Sequence, residues 1–121
     1  MKFQELLAYK KSFALAMKIF NITKSFPKEE TYSLTDQIRR SSRSVSSNIA
    51  EAYRKRIYPK NFISKLTDSD AENSETQTWL EFSLECNYID QDTYNDLIKS
   101  SEEIGRLINY MINNPSKFGS E

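Results

Sequence analysis

Apolar residues recur at three- and four-residue steps in four stretches of the chain, parted by short corners built on proline, serine, asparagine and aspartate. In the first stretch Leu6, Tyr9, Phe13, Ala16, Phe20 and Thr23 fall on one side of a helix expected over about 4–25. Phe26-Pro27 ends it, because a residue before proline is pushed out of helical geometry. A second helix is expected over about 34–57, with Ser33 as its N-cap and Asp36 three residues on. Its stripe is Leu34, Ile38, Ser41, Ser42, Val45, Ile49, Ala52 and Tyr53, and the small serines let a neighbouring helix come close.

Tyr58-Pro59 makes the next corner, and Pro59 suits the first position of a third helix over about 59–87. Phe62, Ile63 and Leu66 begin that helix and Trp79, Leu80, Phe82 and Leu84 finish it. Between Leu66 and Trp79 the only apolar residue is Ala71, so tertiary contacts or an assembly must support its polar middle. Tyr88-Ile89-Asp90 forms the last corner, with Asp90 as the cap of a fourth helix over about 91–113. That helix repeats Tyr94, Leu97, Ser101, Ile104, Ile108 and Met111, and Asn113-Asn114-Pro115 stops it. Residues 116–121 are expected to fray. Four such helices with short connections use up 121 residues. The expected fold is therefore a single all-α domain, an antiparallel up-down-up-down four-helix bundle.

Composition narrows the chemistry. The chain has 38% hydrophobic and 28% charged residues, an ordinary globular balance. It contains no histidine, which removes the commonest acid/base group and the commonest metal ligand. A di-iron bundle site built on Glu-x-x-His pairs is thereby excluded, and one cysteine, Cys86, with carboxylates makes a poor zinc set. Two glycines, at 105 and 119, cannot build a phosphate-binding loop. Neither catalytic residues, nor a metal, nor a cofactor is expected. No apolar run reaches the roughly 18 residues a membrane span needs, and Met1-Lys2-Phe3-Gln4-Glu5 lacks a signal-peptide layout. With its lone cysteine, the chain reads as cytoplasmic.

Formal net charge is zero, but it is divided along the chain. Residues 1–60 hold 13 Lys and Arg against 5 Asp and Glu, +8, while residues 61–121 hold 4 against 12, −8. Basic helices can simply neutralise acidic ones inside the bundle. Alternatively, Arg39, Arg40, Arg43 and Arg54 share one sector of the second helix, continued by Lys55, Arg56 and Lys60, and such a strip can track RNA or DNA phosphates. Asp36 lies in the same sector at a spacing that pairs with Arg40, and no aromatic residue is interleaved to stack on bases. A third use is a head-to-tail contact between copies, basic surface against acidic surface. On the third helix, Trp79, Phe82 and Cys86 point away from the stripe of Phe62, Leu66, Leu80 and Leu84. They form either a contact surface or the edge of a wide core.

The run from Phe26-Pro27 through Glu29, Tyr32 and Leu34 to Gln37-Ile38-Arg39-Arg40, followed by Ser47-Asn48-Ile49-Ala50-Glu51, resembles the signature of a bacterial four-helix-bundle family. Phe62, Leu66, Glu75, Thr78, Leu80, Tyr88 and Ile89 continue the resemblance in register. That family comprises proteins encoded in intervening sequences of large-subunit ribosomal RNA genes, together with the accessory protein of diversity-generating retroelements. The resemblance implies an up-down bundle, without an assigned activity for most members, and homopentameric rings for some. The retroelement branch is basic and binds nucleic acid and a reverse transcriptase, whereas this chain is neutral. Ala52, Arg43 and Asp68-Ser69-Asp70 depart from the family pattern. Arg39, Arg40, Asn48, Glu51 and Glu75 belong to it, either as polar pairs between helices or as a ligand site.

The resulting expectation is a non-catalytic homo-oligomeric assembly or adaptor module, a ring of five copies. Its candidate nucleic-acid residues are Arg39, Arg40, Arg43, Arg54, Lys55, Arg56 and Lys60. Its candidate oligomer interface is Trp79, Phe82 and Cys86. The alternative is a structural module that binds another protein and no nucleic acid.

Overall fold

The computed structural model describes the whole chain, residues 1–121. Four helices dominate it: α1 (Leu7–Thr23), α2 (Leu34–Arg54), α3 (Pro59–Glu85) and α4 (Gln91–Asn113). Single 3-10 turns cover Phe3–Glu5, Lys28–Glu30 and Pro115–Phe118. Consecutive helices pack on one another and α1 closes on α4, the arrangement of an all-α up-down bundle, with the most extensive contact between α2 and α3.

The helix ends follow local chemistry. Asp90 caps α4 by accepting the Thr93 N–H at 2.8 Å, which holds its carboxyl below the usual range. Pro59 opens α3 as expected. At the other end of α3, Asn87 turns left-handed (φ 60°) so that the Tyr88 N–H reaches back to the Ser83 carbonyl at 2.9 Å. Ser33 stands at the N-cap of α2 as expected, but the capping bond is supplied by another residue. Ser33 makes no side-chain cap. Its hydroxyl donates to Glu30 Oε1 at 2.6 Å, and that same carboxylate accepts the Leu34 N–H at 3.3 Å. Glu30 can reach because the preceding residues coil into a 3-10 turn and bring its side chain over the helix end.

Two further expectations are corrected. The buried line of α1 is Ala8, Ser12, Leu15, Ala16, Ile19 and Thr23, while Phe13 is 51% exposed and Tyr9 and Phe20 are half-buried. Small residues occupy the seam because α2 approaches closely there, with the Ser12 and Ser46 hydroxyls 2.9 Å apart. The larger rings are displaced to the flank. The last residues do not fray: Ser120 is 1% exposed and its N–H bonds the Pro115 carbonyl at 3.1 Å. Phe118 packs against the core and meets Tyr110 edge-to-face at 6.1 Å.

The polar middle of α3 is supported from within one bundle. Ser69, Asn73, Thr76 and Ser83 are buried at helical spacing, and each has a partner. Ser69 Oγ donates to the Val45 carbonyl at 2.8 Å, and the Thr76 and Ser41 hydroxyls lie 2.9 Å apart. Asn73 donates to the Ser101 carbonyl and accepts from the Ser101 hydroxyl, both at 2.9 Å. Above and below this polar layer, Ile38, Ile49, Phe62, Leu66, Ile104 and Ile108 are each at most 1% exposed. The departure Asp68-Ser69-Asp70 thus places one hydroxyl inside, on an α2 carbonyl, between aspartates that are exposed or half-exposed.

Candidate interaction surfaces

The arginines of α2 divide by neighbour. Arg39 leans onto α1: its Nε donates to Thr23 Oγ1 at 2.8 Å, its Nη2 to the Phe20 carbonyl at 3.3 Å, and its guanidinium lies 4.7 Å from the Phe20 ring centroid. A cation placed on the last carbonyls of α1 is favourable by charge as well as by hydrogen bonding. Arg40 leans the other way, bridging Glu72 at 3.2 Å and Glu75 at 2.6 Å on α3. Asp36, spaced to pair with Arg40, is not its partner. Arg43 stays exposed with its guanidinium 5.5 Å from the Phe20 ring.

Beyond Arg54 the strip breaks, because α2 ends there. Arg56 folds back on Tyr53, donating to its carbonyl at 2.8 Å with the guanidinium 4.0 Å from the ring. Arg54, Lys55 and Lys60 are exposed and take part in none of the ion pairs. The expected strip therefore reduces to four free cations, with Arg39, Arg40 and Arg56 committed to their own fold. Part of the divided charge is likewise neutralised inside the bundle, through Lys11 with Glu103 and Lys18 with Asp96. What remains on the outer face of α2 is a polar groove in which Arg39, Arg40 and Arg43 stand with the hydroxyls of Thr31, Ser44 and Ser47, and with Asp36.

Among the residues of the family pattern, Glu75 joins Arg40 and Glu51 joins Lys65 of α3 at 3.0 Å. Asn48 only bonds the Ser44 carbonyl one turn back, at 2.9 Å. Burial raises the Glu72 carboxyl above its ordinary range, reinforced by the hydrogen bond it shares with Glu75. Burial also pushes Glu75 upward, but hydrogen bonds from Glu72, the Trp79 indole and Arg40 outweigh it and hold Glu75 low.

Trp79, Phe82 and Cys86 come together. The Trp79 indole N–H donates to Glu75 Oε1 at 3.2 Å, its ring lies 5.8 Å from that of Phe82, and Phe82 is 53% exposed. With Leu34, Tyr32 and Glu30 they line a groove between the start of α2 and the end of α3. Tyr32 stands 94% exposed beside it. The Tyr88 hydroxyl donates to Glu30 Oε2 at 2.8 Å, which locks the Lys28–Glu30 turn to the α3–α4 corner.

A second apolar surface escaped the sequence reading. Phe3 of the first 3-10 turn and Tyr9, Phe13, Ala16 and Met17 of α1 line a groove whose other wall is α2, with Ser46, Ser47 and Ala50. Phe3 meets Tyr9 edge-on at 5.2 Å, and Met17 is 45% exposed. The signal was present as a competing stripe, since Ala8, Ser12, Leu15 and Ile19 keep the same helical step as the aromatic line. No group of three or more His, Cys, Asp or Glu side chains is placed to hold a metal ion. No helix is long and apolar enough to cross a membrane.

Comparison with known proteins agrees with this architecture. The 23S rRNA-intervening sequence protein family model matches residues 4–110. Among solved structures, the chain is similar to a protein of unknown function from the S23 ribosomal protein family of Bacteroides thetaiotaomicron VPI-5482. The two share 32% identity with a TM-score of 0.82, over 93% of this chain and 99% of that one. No curated protein matches significantly.

Proposed function

Because the chain belongs to the 23S rRNA-intervening sequence protein family, we propose that it works in the cytoplasm as a non-catalytic, homo-oligomeric assembly module, a closed ring of five copies. The carrying observation is the distribution of apolar surface. Trp79, Phe82 and Tyr32 on one face, and Phe13 and Met17 on another, stay partly or largely open to water, while serine, threonine and asparagine fill the middle of the core. Clustered exposed aromatics of this kind stabilise a bundle less than they stabilise a contact between bundles. The number five rests on the family resemblance alone. Light scattering on a sizing column should give a mass several times the 14.2 kDa of one chain. Trp79→Asp with Phe82→Asp should bring it toward the monomer. A parent protein that stays monomeric at tens of micromolar, in low and moderate salt alike, refutes the reading.

A nucleic-acid ligand is the second reading, as in the retroelement accessory branch. Its support is the polar groove of α2 together with the unpaired Arg43, Arg54, Lys55 and Lys60. A gel shift that weakens steeply between two salt concentrations favours it, because phosphate contacts release counterions. Absence of any shift leaves the assembly module as a binder of protein alone.

A further inference from the structure

We infer that the groove of α1 and α2 on one copy receives the Trp79–Phe82 face of the next, so that a single heterologous contact repeats around the assembly; this rests on the homo-oligomer reading above. Both surfaces are apolar at the centre, and their rims carry opposite charge. Outside the first groove, Lys10 on α1 and Lys24, the residue just past its end, stand seven residues to either side of Met17. On α2, Arg43 lines the groove four residues before Ser47, and Arg54 stands four residues after Ala50. All four cations are exposed and outside the ion pairs of the bundle. The one carboxylate in that groove, Glu51, is held by Lys65.

Around the second surface the charges are acidic. Glu30 lines it, Glu29 precedes it in the same turn, and Glu85 stands one helical turn after Phe82, with Lys28 the cation of that turn. Like rims repel, so a basic-rimmed groove disfavours its own twin and selects the acidic-rimmed face. The two surfaces share α2 and lie toward opposite ends of it. They therefore sit on neighbouring sides of the bundle, so one copy can engage one partner through its groove and another through its face. Contacts between neighbouring sides curve as they repeat, and a curved row of copies closes as a ring where a straight one would grow as a fibre.

Complementation tests the pairing. Phe13→Asp spoils the groove and Phe82→Asp spoils the opposing face, and both side chains are about half exposed, so each variant should fold, as circular dichroism would verify. Each variant alone should elute as a monomer of 14.2 kDa. Mixed in equal amounts they should form a complex of twice that mass and nothing larger, because one sound groove meets one sound face. A mixture that remains monomeric, or either variant keeping the parent's mass, overturns the pairing while leaving the homo-oligomer itself standing. A monomeric parent removes both. Cross-linking reads the same contact without disrupting it. Ser47→Cys places a thiol in the groove opposite the exposed Cys86, and mild oxidation should give a non-reducing ladder. Each single-cysteine form, the parent with Cys86 alone and Ser47→Cys with Cys86→Ser, has one thiol per chain and can give a disulfide dimer at most, so a ladder reaching trimer and beyond requires both thiols. Its absence in Ser47→Cys would place the contact elsewhere.

Discussion

Truncating Asn73 to alanine probes the polar layer at its most connected point. Asn73 is 3% exposed and makes two hydrogen bonds to Ser101, one through each amide atom, both at 2.9 Å. Each such bond contributes about 1 kcal/mol net. The small void left behind adds about 1 kcal/mol more, for a total loss of roughly 2–3 kcal/mol. For a domain of this size that lowers Tm by about 8–12 °C. Ser101→Ala should cost less, about 1–2 kcal/mol, because Asn73 keeps the Ser101 backbone carbonyl and only the hydroxyl bonds to Asn73 and Gln77 disappear. The double variant should fall short of the sum by about 1 kcal/mol, since the hydroxyl–amide bond is counted in both singles. Urea unfolding followed by circular dichroism measures all three, at one protein concentration because any association of copies adds stability by mass action. A cost for Asn73→Ala under about 0.5 kcal/mol with unchanged m, or strict additivity, would refute the account of a bonded polar layer.

Three other outcomes follow from the geometry. Hydrogen bonding to Glu30, more than burial, pushes Tyr88 up to about 12 from 10.0. The bond therefore stabilises fully below the unfolded value and is lost as pH climbs through about 12, so Tyr88→Phe should flatten that alkaline loss. The Glu30 carboxyl is lowered by Ser33 and Tyr88, so its share is present above the ordinary carboxylate range and fades in acid. Tyr88→Phe should accordingly differ most from the parent near neutrality, and an equal deficit at every pH counts against the pair. Glu72 has the opposite sign: raised in the fold, it favours the folded state in acid and loses that contribution as pH rises, so Glu72→Gln should gain on the parent as pH climbs above the ordinary carboxylate range. If nucleic acid is bound, Arg43→Glu with Lys55→Glu and Lys60→Glu should abolish the shift at unchanged helical content. Arg39→Ala, by contrast, should cost stability, through its bonds to Thr23 and Phe20.

Period and punctuation made the helices legible. Pro27, Pro59 and Pro115 stand at or beside element starts because each fixes φ and lacks an N–H, a constraint no tertiary contact overrides. The stripes of α2 and α4 were readable because a periodicity count selects most of their buried residues, missing only Thr35 and Ser46 on α2 and adding the half-buried Tyr94 on α4. On α1 that rule failed for a physical reason. Burial there was decided by how closely α2 could approach, and Ala8 with Ser12 permits an approach that Phe13 and Phe20 would block. The buried Asn73 and Thr76 were illegible for a related reason. Their partners, Ser101 and Ser41, lie on other helices, and a single sequence gives spacing within a helix but not pairing between helices. All four arginines of the expected sector lie on α2, and three of them, Arg39, Arg40 and Arg43, line one groove there. Which of them solvent keeps depended on Thr23 and Glu75, equally invisible along the chain.

Polar seams and aromatic flanks have one common cause in the spacing of the helices. Hydroxyl pairs such as Ser12–Ser46 and Ser41–Thr76 draw α2 against α1 and α3 with little side-chain volume between them. A bundle drawn that tight has no interior room for Phe13, Phe82 or all of Trp79, and these rings are left along the grooves where two helices meet water. The apolar area that a looser bundle would bury in its own core is thus left at two grooves, which the proposed contact would pair through their charged rims. Loosening the seam with larger apolar residues would draw those rings inward and erase the surface. If the proposed contact between copies forms, the serines are for that reason as much a requirement of it as the aromatics themselves.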